Sequence, residues 1–482
     1  MAPHVVTTAQ QELEEIGQGV DPHARLFVRS DRILRALKPA RAAWYAGLLE
    51  QPAVRELMEQ GLLIDTRKSD ATFEGFPVVL EHPRLTFVNY PFEWTASMLK
   101  AAALTMLRVN LRLIEDQCMI YDPHSWNVMF DGPRPLFIDF TSIVPLPADG
   151  KHPEMVWFER YFLAPLRLMA KGYPAIARAL LRDNLGPSDD GLARSIIIDD
   201  RKHRHRPFVR RELGRLLDAT RLCLREAAGH FRNRLTAREK LDTAPGMRAM
   251  IEEIEALDVS PPKGQWSEYY AGHNVLPVFD GSRAALDAIR NSTPKHQLID
   301  RILATQRPAT VLDMGCNNGL YSQMAAAHGA SVAGIDTDEH ALDVLYASAL
   351  KSGASIVPYF ANALAPCEAV SLALKPMPRL MERVRSDFVL CLALVHHLLF
   401  SRVQLSFEHV AELLATYTRR ELLVEFIPPE DAPLRSVYPH PPDWYSLAGF
   451  ESALRRYFPR IERHPSFPEP RILLHCQKQM AL

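Results

Sequence analysis

Cysteine is sparse in this 482-residue chain, and its placement excludes two kinds of protein. The six residues (Cys118, Cys223, Cys316, Cys367, Cys391, Cys476) form no C-x-x-C pair and show no metal-ligand spacing. Neither a disulfide framework nor a metal site is therefore expected from spacing, and the thiols fit a reducing compartment. Charge of one sign is lacking too. The formal net charge is -1, which gives no global pull towards nucleic acid or an anionic membrane. No stretch is long and apolar enough to span a bilayer, and the start M-A-P-H-V-V-T-T lacks the basic and apolar regions of a signal peptide. Apolar content of 47% excludes a disordered chain. We expect a soluble, cytoplasmic, bacterial-type enzyme of two or three domains.

The most informative stretch is A-T-V-L-D-M-G-C-N-N-G, Ala309 to Gly319. It predicts a buried strand ending in Asp313, a tight loop, and a helix from Leu320 to His328. Gly315 and Gly319 stand where a backbone approaches a ligand or takes positive φ, and Asn317 occupies a middle place that Asn tolerates. About twenty residues on, S-V-A-G-I-D predicts a second strand whose terminal Asp336 is spaced to meet ribose hydroxyls. Further strands are expected at Ser355 to Phe360, at Asp387 to Leu394 and at Arg419 to Pro428. A helix follows at Trp444 to Phe458, and then a closing antiparallel pair. The fourth strand delivers His396 and His397 to the crevice as candidate bases, and Glu425, near the carboxyl end of the fifth, is a third catalytic candidate.

The D-x-G-x-N-x-G loop followed by G-I-D resembles the cofactor loop and ribose acid of class I AdoMet-dependent methyltransferases; a dinucleotide dehydrogenase would more usually show G-x-G-x-x-G. The resemblance implies an α/β fold with a seven-stranded Rossmann-like sheet and S-adenosyl-L-methionine as cofactor. It implies that Asp313, Gly315, Cys316, Asn317 and Gly319 surround the methionine part and ribose. Asp336 would bind the ribose, and Asn362, where the family usually has an acid, would meet the adenine.

In the N-terminal half, short alternating strands from Arg25, a helix at Ala42 to Gly61, an extended Glu81 to Tyr90 and a helix at Ser97 to Glu115 are expected. Then comes I-Y-D-P-H-S-W-N-V-M-F-D-G-P-R-P-L-F-I-D-F, Ile120 to Phe140. Its D-x-x-x-x-N, hairpin and I-D-F resemble the catalytic loop and metal-binding aspartate of the protein-kinase and aminoglycoside-kinase fold. The resemblance implies that Asp122 orients a hydroxyl while Asn127 and Asp139 hold magnesium on ATP, with Lys38 or Arg35 as phosphate partner. Ile120 replaces the usual His, Thr141 replaces the usual Gly, and no Gly-rich loop is present. Together with Y-P-F-E-W-T-A-S-M-L-K and A-L-V-H-H-L, the two motifs resemble two-part bacterial methyltransferases, some described as nodulation-associated.

Residues 201–240 carry an excess of nine positive charges, which suits a solvated helix face since no aromatics interleave for base stacking. S-P-P-K-G at Ser260 to Gly264 marks a linker, and Tyr269, Tyr270 and His273 are placed for a lid. The expected organisation is a loose arm (1–24), a kinase-like α+β domain (25–180), a helical connector and lid (181–289) and a methyltransferase domain (290–482). The acceptor is expected to be a small molecule or glycoconjugate rather than nucleic acid, with the oligomeric state open. Alternatives are a bifunctional enzyme with ATP-dependent phosphotransfer, an AdoMet-using alkyl transferase or cyclase, and a non-catalytic sensor.

Overall fold

The computed structural model describes residues 5–6, 13–16, 21–182, 242–264, 266–267, 282–364, 377–400 and 405–479. The basic segment 201–240, the expected lid residues Tyr269, Tyr270 and His273, and positions 365–376 lie outside the described residues.

The C-terminal part is built on seven strands: β1 (Thr310–Met314), β2 (Ser331–Asp336), β3 (Ile356–Phe360), β4 (Ser386–Cys391), β5 (Thr418–Phe426), β6 (Arg460–Pro465) and β7 (Ile472–Gln477). They hydrogen-bond in the order β3-β2-β1-β4-β5-β7-β6. The first five run parallel, and β7 lies antiparallel between β5 and β6. Helices cover both faces, so inward positions of both parities are apolar: Val311, Leu390 and Leu423 face one core, Leu312, Val389 and Leu422 the other. Strand order reverses between β1 and β4, which opens a crevice at their carboxyl ends.

In the N-terminal half, five antiparallel strands lie in the order Glu14–Ile16, Ala24–Arg29, Arg32–Leu37, Val78–Pro83, Arg67–Lys68. A 20-residue helix, Ala96–Glu115, and a hairpin of Val128–Asp131 with Arg134–Phe137 follow. Part of the expected loose arm is ordered, because Glu14–Ile16 adds a strand to this sheet and Asp21 is buried against Arg35. The helix expected over Ala42 to Gly61 is two helices, Pro39–Leu48 and Pro52–Glu59. Pro52 has no N–H to continue the first and is well suited to begin the second. The helical stretch that follows is interrupted at Gly172 (φ 84°), after Ala164–Ala170 and before Pro174–Arg182. The last long helix starts only at Leu447, where Ser446 caps it by accepting from the Gly449 N–H.

The two halves share one hydrophobic core that runs from Trp94 and Phe130 to Tyr346 and Tyr359. Their polar seam is organised by Tyr90 to Ser97. Glu93, 2% exposed, pairs with Arg383 at 2.6 Å, and the guanidinium lies 3.8 Å from the centre of the Tyr90 ring. Asn89 donates to the Pro358 carbonyl of β3 at 3.0 Å. Glu339 accepts from the Ala96 N–H and pairs with Arg178. Breaking a buried pair from one side leaves an uncompensated charge, so Arg383→Met is expected to cost about 3–5 kcal/mol in urea unfolding. The Glu93→Gln/Arg383→Met double variant is expected to recover part of that loss. A single variant as stable as wild type would show that Glu93 is not held as a buried charge.

Candidate functional site

Asp313, at the end of β1, is fully enclosed and accepts from the Ser322 hydroxyl at 2.7 Å. Burial pushes its carboxyl up to about 7; the Ser322 bond opposes this, while the nearby Asp336 adds to it. The loop after it turns on Gly315 (φ 75°) and Asn317 (φ 49°). Both are in the left-handed region, which Gly adopts freely and Asn at little cost. A side chain at Gly315 would press on Leu394, 3.3 Å away.

Asp336, at the end of β2, is held by three backbone donors. Its Oδ2 accepts from the Asn317 N–H at 2.8 Å, and its Oδ1 accepts from Thr337 at 2.7 Å and Asp338 at 2.9 Å. Burial raises its pKa against these bonds. The Asn317 side chain donates to the Trp266 carbonyl at 2.8 Å, which brings the segment after the S-P-P-K-G linker onto the loop.

These groups line one crevice of about 700 Å³ at the carboxyl ends of the strands, with Asp313, Gly315, Asn317, Asp336, Asn362 and His397 among its walls. Two expected members play other parts. Cys316 is buried, and its sulfur packs 3.1 Å from where a Gly334 side chain would begin. Gly319 caps the following helix at φ 83°, and a side chain there would meet Leu345 at 2.1 Å. Its requirement for glycine is helix packing. Asn362 lines the crevice, and its Oδ1 already accepts from the Leu364 N–H at 2.9 Å.

His396 and His397 are not on an extended chain as expected but in a helix, Val395–Phe400, which brings their rings to a centroid separation of 3.9 Å. His397 faces the crevice edge-on to Trp266, at 4.9 Å. Burial lowers its pKa and keeps it in the basic form at neutral pH. His396 is pushed down to about 3 by burial, with further lowering from His397 and Arg471. Glu425, expected as a catalytic carboxylate, is fully buried with its oxygens taken. Lys295 and the Ala393 N–H bind Oε2 at 2.8 and 3.0 Å, and Ser466 binds Oε1 at 2.5 Å. It anchors the crevice wall through Lys295 and is not itself among the residues that line the crevice.

Sequence reasoning missed Trp266, Lys295, His296, Tyr321 and Arg471, which also line the crevice. None belongs to a strand-end motif. The one available signal was Thr293-Pro294, a helix-start pair that seats Lys295 and His296 in the first turn of Pro294–Gln306.

In the N-terminal half, Asp122, Asn127 and Asp139 come together around one loop. The Asn127 amide donates to the Asp122 carbonyl at 2.9 Å, and His124 Nε2 sits 2.9 Å from the Asp122 carboxylate. Asp139 is engaged by Arg35, whose Nη1 lies 3.0 Å from Oδ1 and 2.7 Å from Asp21, and which also donates to Thr141. Lys38, the other expected phosphate partner, donates to the Pro22 carbonyl at 2.9 Å.

The crevice suits S-adenosyl-L-methionine. It has a strand-end carboxylate, Asp336, fixed by backbone N–H groups, and a second, buried acid, Asp313, on its wall. No family model matches the chain. Over 481 residues, 95% of this chain and 95% of the relative, it is 28% identical to Nodulation protein NoeA of Rhizobium meliloti. A 55-residue stretch, 11% of this chain and 23% of the relative, is 46% identical to a Ubiquinone biosynthesis O-methyltransferase of Nitrosomonas europaea. Among solved structures, the bifunctional kinase-methyltransferase WbdD matches at 18% identity and a TM-score of 0.32, over 44% of this chain and 46% of that one. N-methyltransferase NodS from Bradyrhizobium japonicum matches at 14% and 0.27, over 38% of this chain and 94% of that one. Along nearly its whole length, then, the chain is similar to a nodulation protein, as the paired motifs of its two halves implied.

Proposed function

We propose that the chain is a class I AdoMet-dependent methyltransferase of the bacterial cytoplasm, acting on a small-molecule or glycoconjugate acceptor. The observation that carries this reading is the pair of acids at the ends of β1 and β2, one clamped by three N–H groups and one buried with its pKa raised. When bound, S-adenosyl-L-methionine supplies a methyl group on a sulfonium, already a good leaving group. The chain's own task is then alignment and the exclusion of water. Asp336 holds the ribose hydroxyls and Asp313 the cationic methionine end. Trp266, Tyr321 and Leu394 close the crevice. His397 stands where a neutral imidazole takes a proton from the acceptor, with His396 behind it.

The N-terminal half is read as a kinase-like scaffold. Its five-stranded sheet, long helix, loop and hairpin follow that order, with Arg35 on the third strand and Asp139 after the hairpin. A guanidinium already neutralises Asp139, the residue that a magnesium ion would need. Titration of the full-length protein with Mg-ATP is expected to give no binding heat. Binding that is lost in Asp139→Ala would instead establish the bifunctional alternative.

For the C-terminal site, calorimetry with S-adenosylhomocysteine is expected to show binding that weakens about 10- to 100-fold in Asp336→Ala, the worth of hydrogen bonds to a charged group. Unchanged affinity in the variant would remove the ribose assignment. Product analysis separates chemistries: methyl transfer leaves S-adenosylhomocysteine, whereas transfer or cyclisation of the aminocarboxypropyl arm leaves methylthioadenosine.

A pH effect follows from Asp313. Its folded-state pKa of about 7 lies above the ordinary 3.8, so the free protein holds a proton that the unfolded chain has released. This group's contribution to the free protein's stability therefore falls as pH rises from about 4 to 7. A cationic ligand favours the carboxylate, so AdoMet affinity is expected to fall below pH 7 by up to about tenfold per unit, with proton release on binding. In Asp313→Asn that slope is expected to disappear. A slope that persists in the variant would assign it to another group.

A further inference from the structure

The far edge of the C-terminal sheet brings four titratable side chains to one face. β6 and β7 pair with Glu462 opposite His475, and His464, two residues along β6, shares that face. β5 pairs with β7 so that Leu423 stands opposite His475, which places Glu421 on the same face one step diagonally away. Glu462, His464 and His475 each bring one ligand atom within 4.8 Å of the other two.

Two details separate this cluster from an ordinary run of cross-strand charge pairs. His475 is buried, and its Nε2 lies 2.7 Å from an oxygen of Glu421, itself buried. A carboxylate accepting from Nε2–H fixes the tautomer and leaves Nδ1 with a free lone pair, which is how outer acids prepare imidazoles for metal binding. His464 Nε2 is enclosed and has no hydrogen-bond partner among the described residues; it stands 3.9 Å from Glu462 Oε2. The other oxygen of Glu462 accepts from Arg460 at 2.6 Å, which steadies the carboxylate and leaves Oε2 for a ligand.

We propose that Glu462, His464 and His475 bind a divalent transition-metal ion of the zinc class, with Glu421 orienting His475. Two imidazoles and a carboxylate suit zinc in ligand type, and three protein ligands leave a fourth position for water. The charges of Glu462 and Glu421 balance the ion. Glu421 and Glu425 are four residues apart on β5, so the site lies roughly 13 Å along the strand from the crevice wall and is separate from it. An ion there ties the edge strand β6 to β7. Sequence spacing hides the set, because His475 reaches the other two through strand pairing.

The test is titration of metal-stripped full-length protein with Co²⁺, read by visible absorption, followed by competition with Zn²⁺. One equivalent of Co²⁺ is expected to give the bands of a four-coordinate site, displaced by Zn²⁺. Glu462→Gln and His464→Gln, at partly exposed positions, are each expected to weaken binding at least about tenfold, and Glu421→Gln to weaken it about 10- to 100-fold. Their metal-free thermal midpoints, expected to match wild type for the first two, report that they fold. Absence of the Co²⁺ bands in wild type would overturn the proposal. So would bands of wild-type affinity in the Glu462→Gln/His464→Gln double variant.

Discussion

Four consecutive residues, Asp336 to Glu339, hold the molecule's parts in register. Asp336 spends both carboxylate oxygens on backbone N–H groups and so sets the curve of the loop between β1 and the next helix. Asp338 caps the helix Glu339–Ser352 through the Ala341 N–H and also accepts from the Trp266 N–H and the Ser267 hydroxyl. Glu339 reaches the N-terminal half at Ala96 and Arg178. The turn after β2 thus touches the loop after β1, the segment that follows the linker, and the other half of the chain. Gly264 leaves room for this, since a side chain there would press on the Asp338 carboxylate. A loop tied at this many points is preorganised, and little ordering remains to oppose ligand binding.

How far the sequence could be read follows from which contacts are local. The β1 and β2 strand ends were legible because strand, loop and acid lie within one short segment, and their chemistry follows from residue type and spacing. The seven-stranded sheet was legible because alternating apolar runs and helices leave few ways to cover both faces. What escaped came from long-range pairing. Lys295 and Glu425 are far apart in sequence yet 2.8 Å apart in the fold, so the strand-end carboxylate that looked reactive is consumed by a lysine no motif contains. His396 and His397 were placed on an extended chain because they follow an apolar strand. Four residues after the last paired position, Cys391, the backbone has already turned into a helix, and the rings meet instead of diverging. Cys316 and Gly319 sit in the loop that was read correctly as a loop, but one points into the core and the other makes room for Leu345.

The same distinction bears on the N-terminal half. Asp122, Asn127 and Asp139 match a pattern of residue types, but whether such a pattern holds a metal depends on the charge nearby, which the local sequence omits. Arg35 arrives from a strand more than a hundred residues earlier and shares its Nη1 between Asp21 and Asp139. Asp21 and Arg35 are both nearly enclosed, so removing the arginine would strand the Asp21 carboxylate in a poorly solvated place and leave Asp139 without its partner. An incoming cation would have to displace a guanidinium already compensated on two sides. Meanwhile the stretch that distinguishes this half most clearly, Asn89 to Ser97, spends its polar groups on β3, on Arg383 before β4 and on the helix after β2. The half therefore grips the crevice-bearing domain through β3, Arg383 and the start of the helix after β2, while in its own charged centre Arg35 is shared by two carboxylates. Holding the middle of β3 and the start of the helix after β2 steadies the turn that carries Asp336 and the crevice wall beside it.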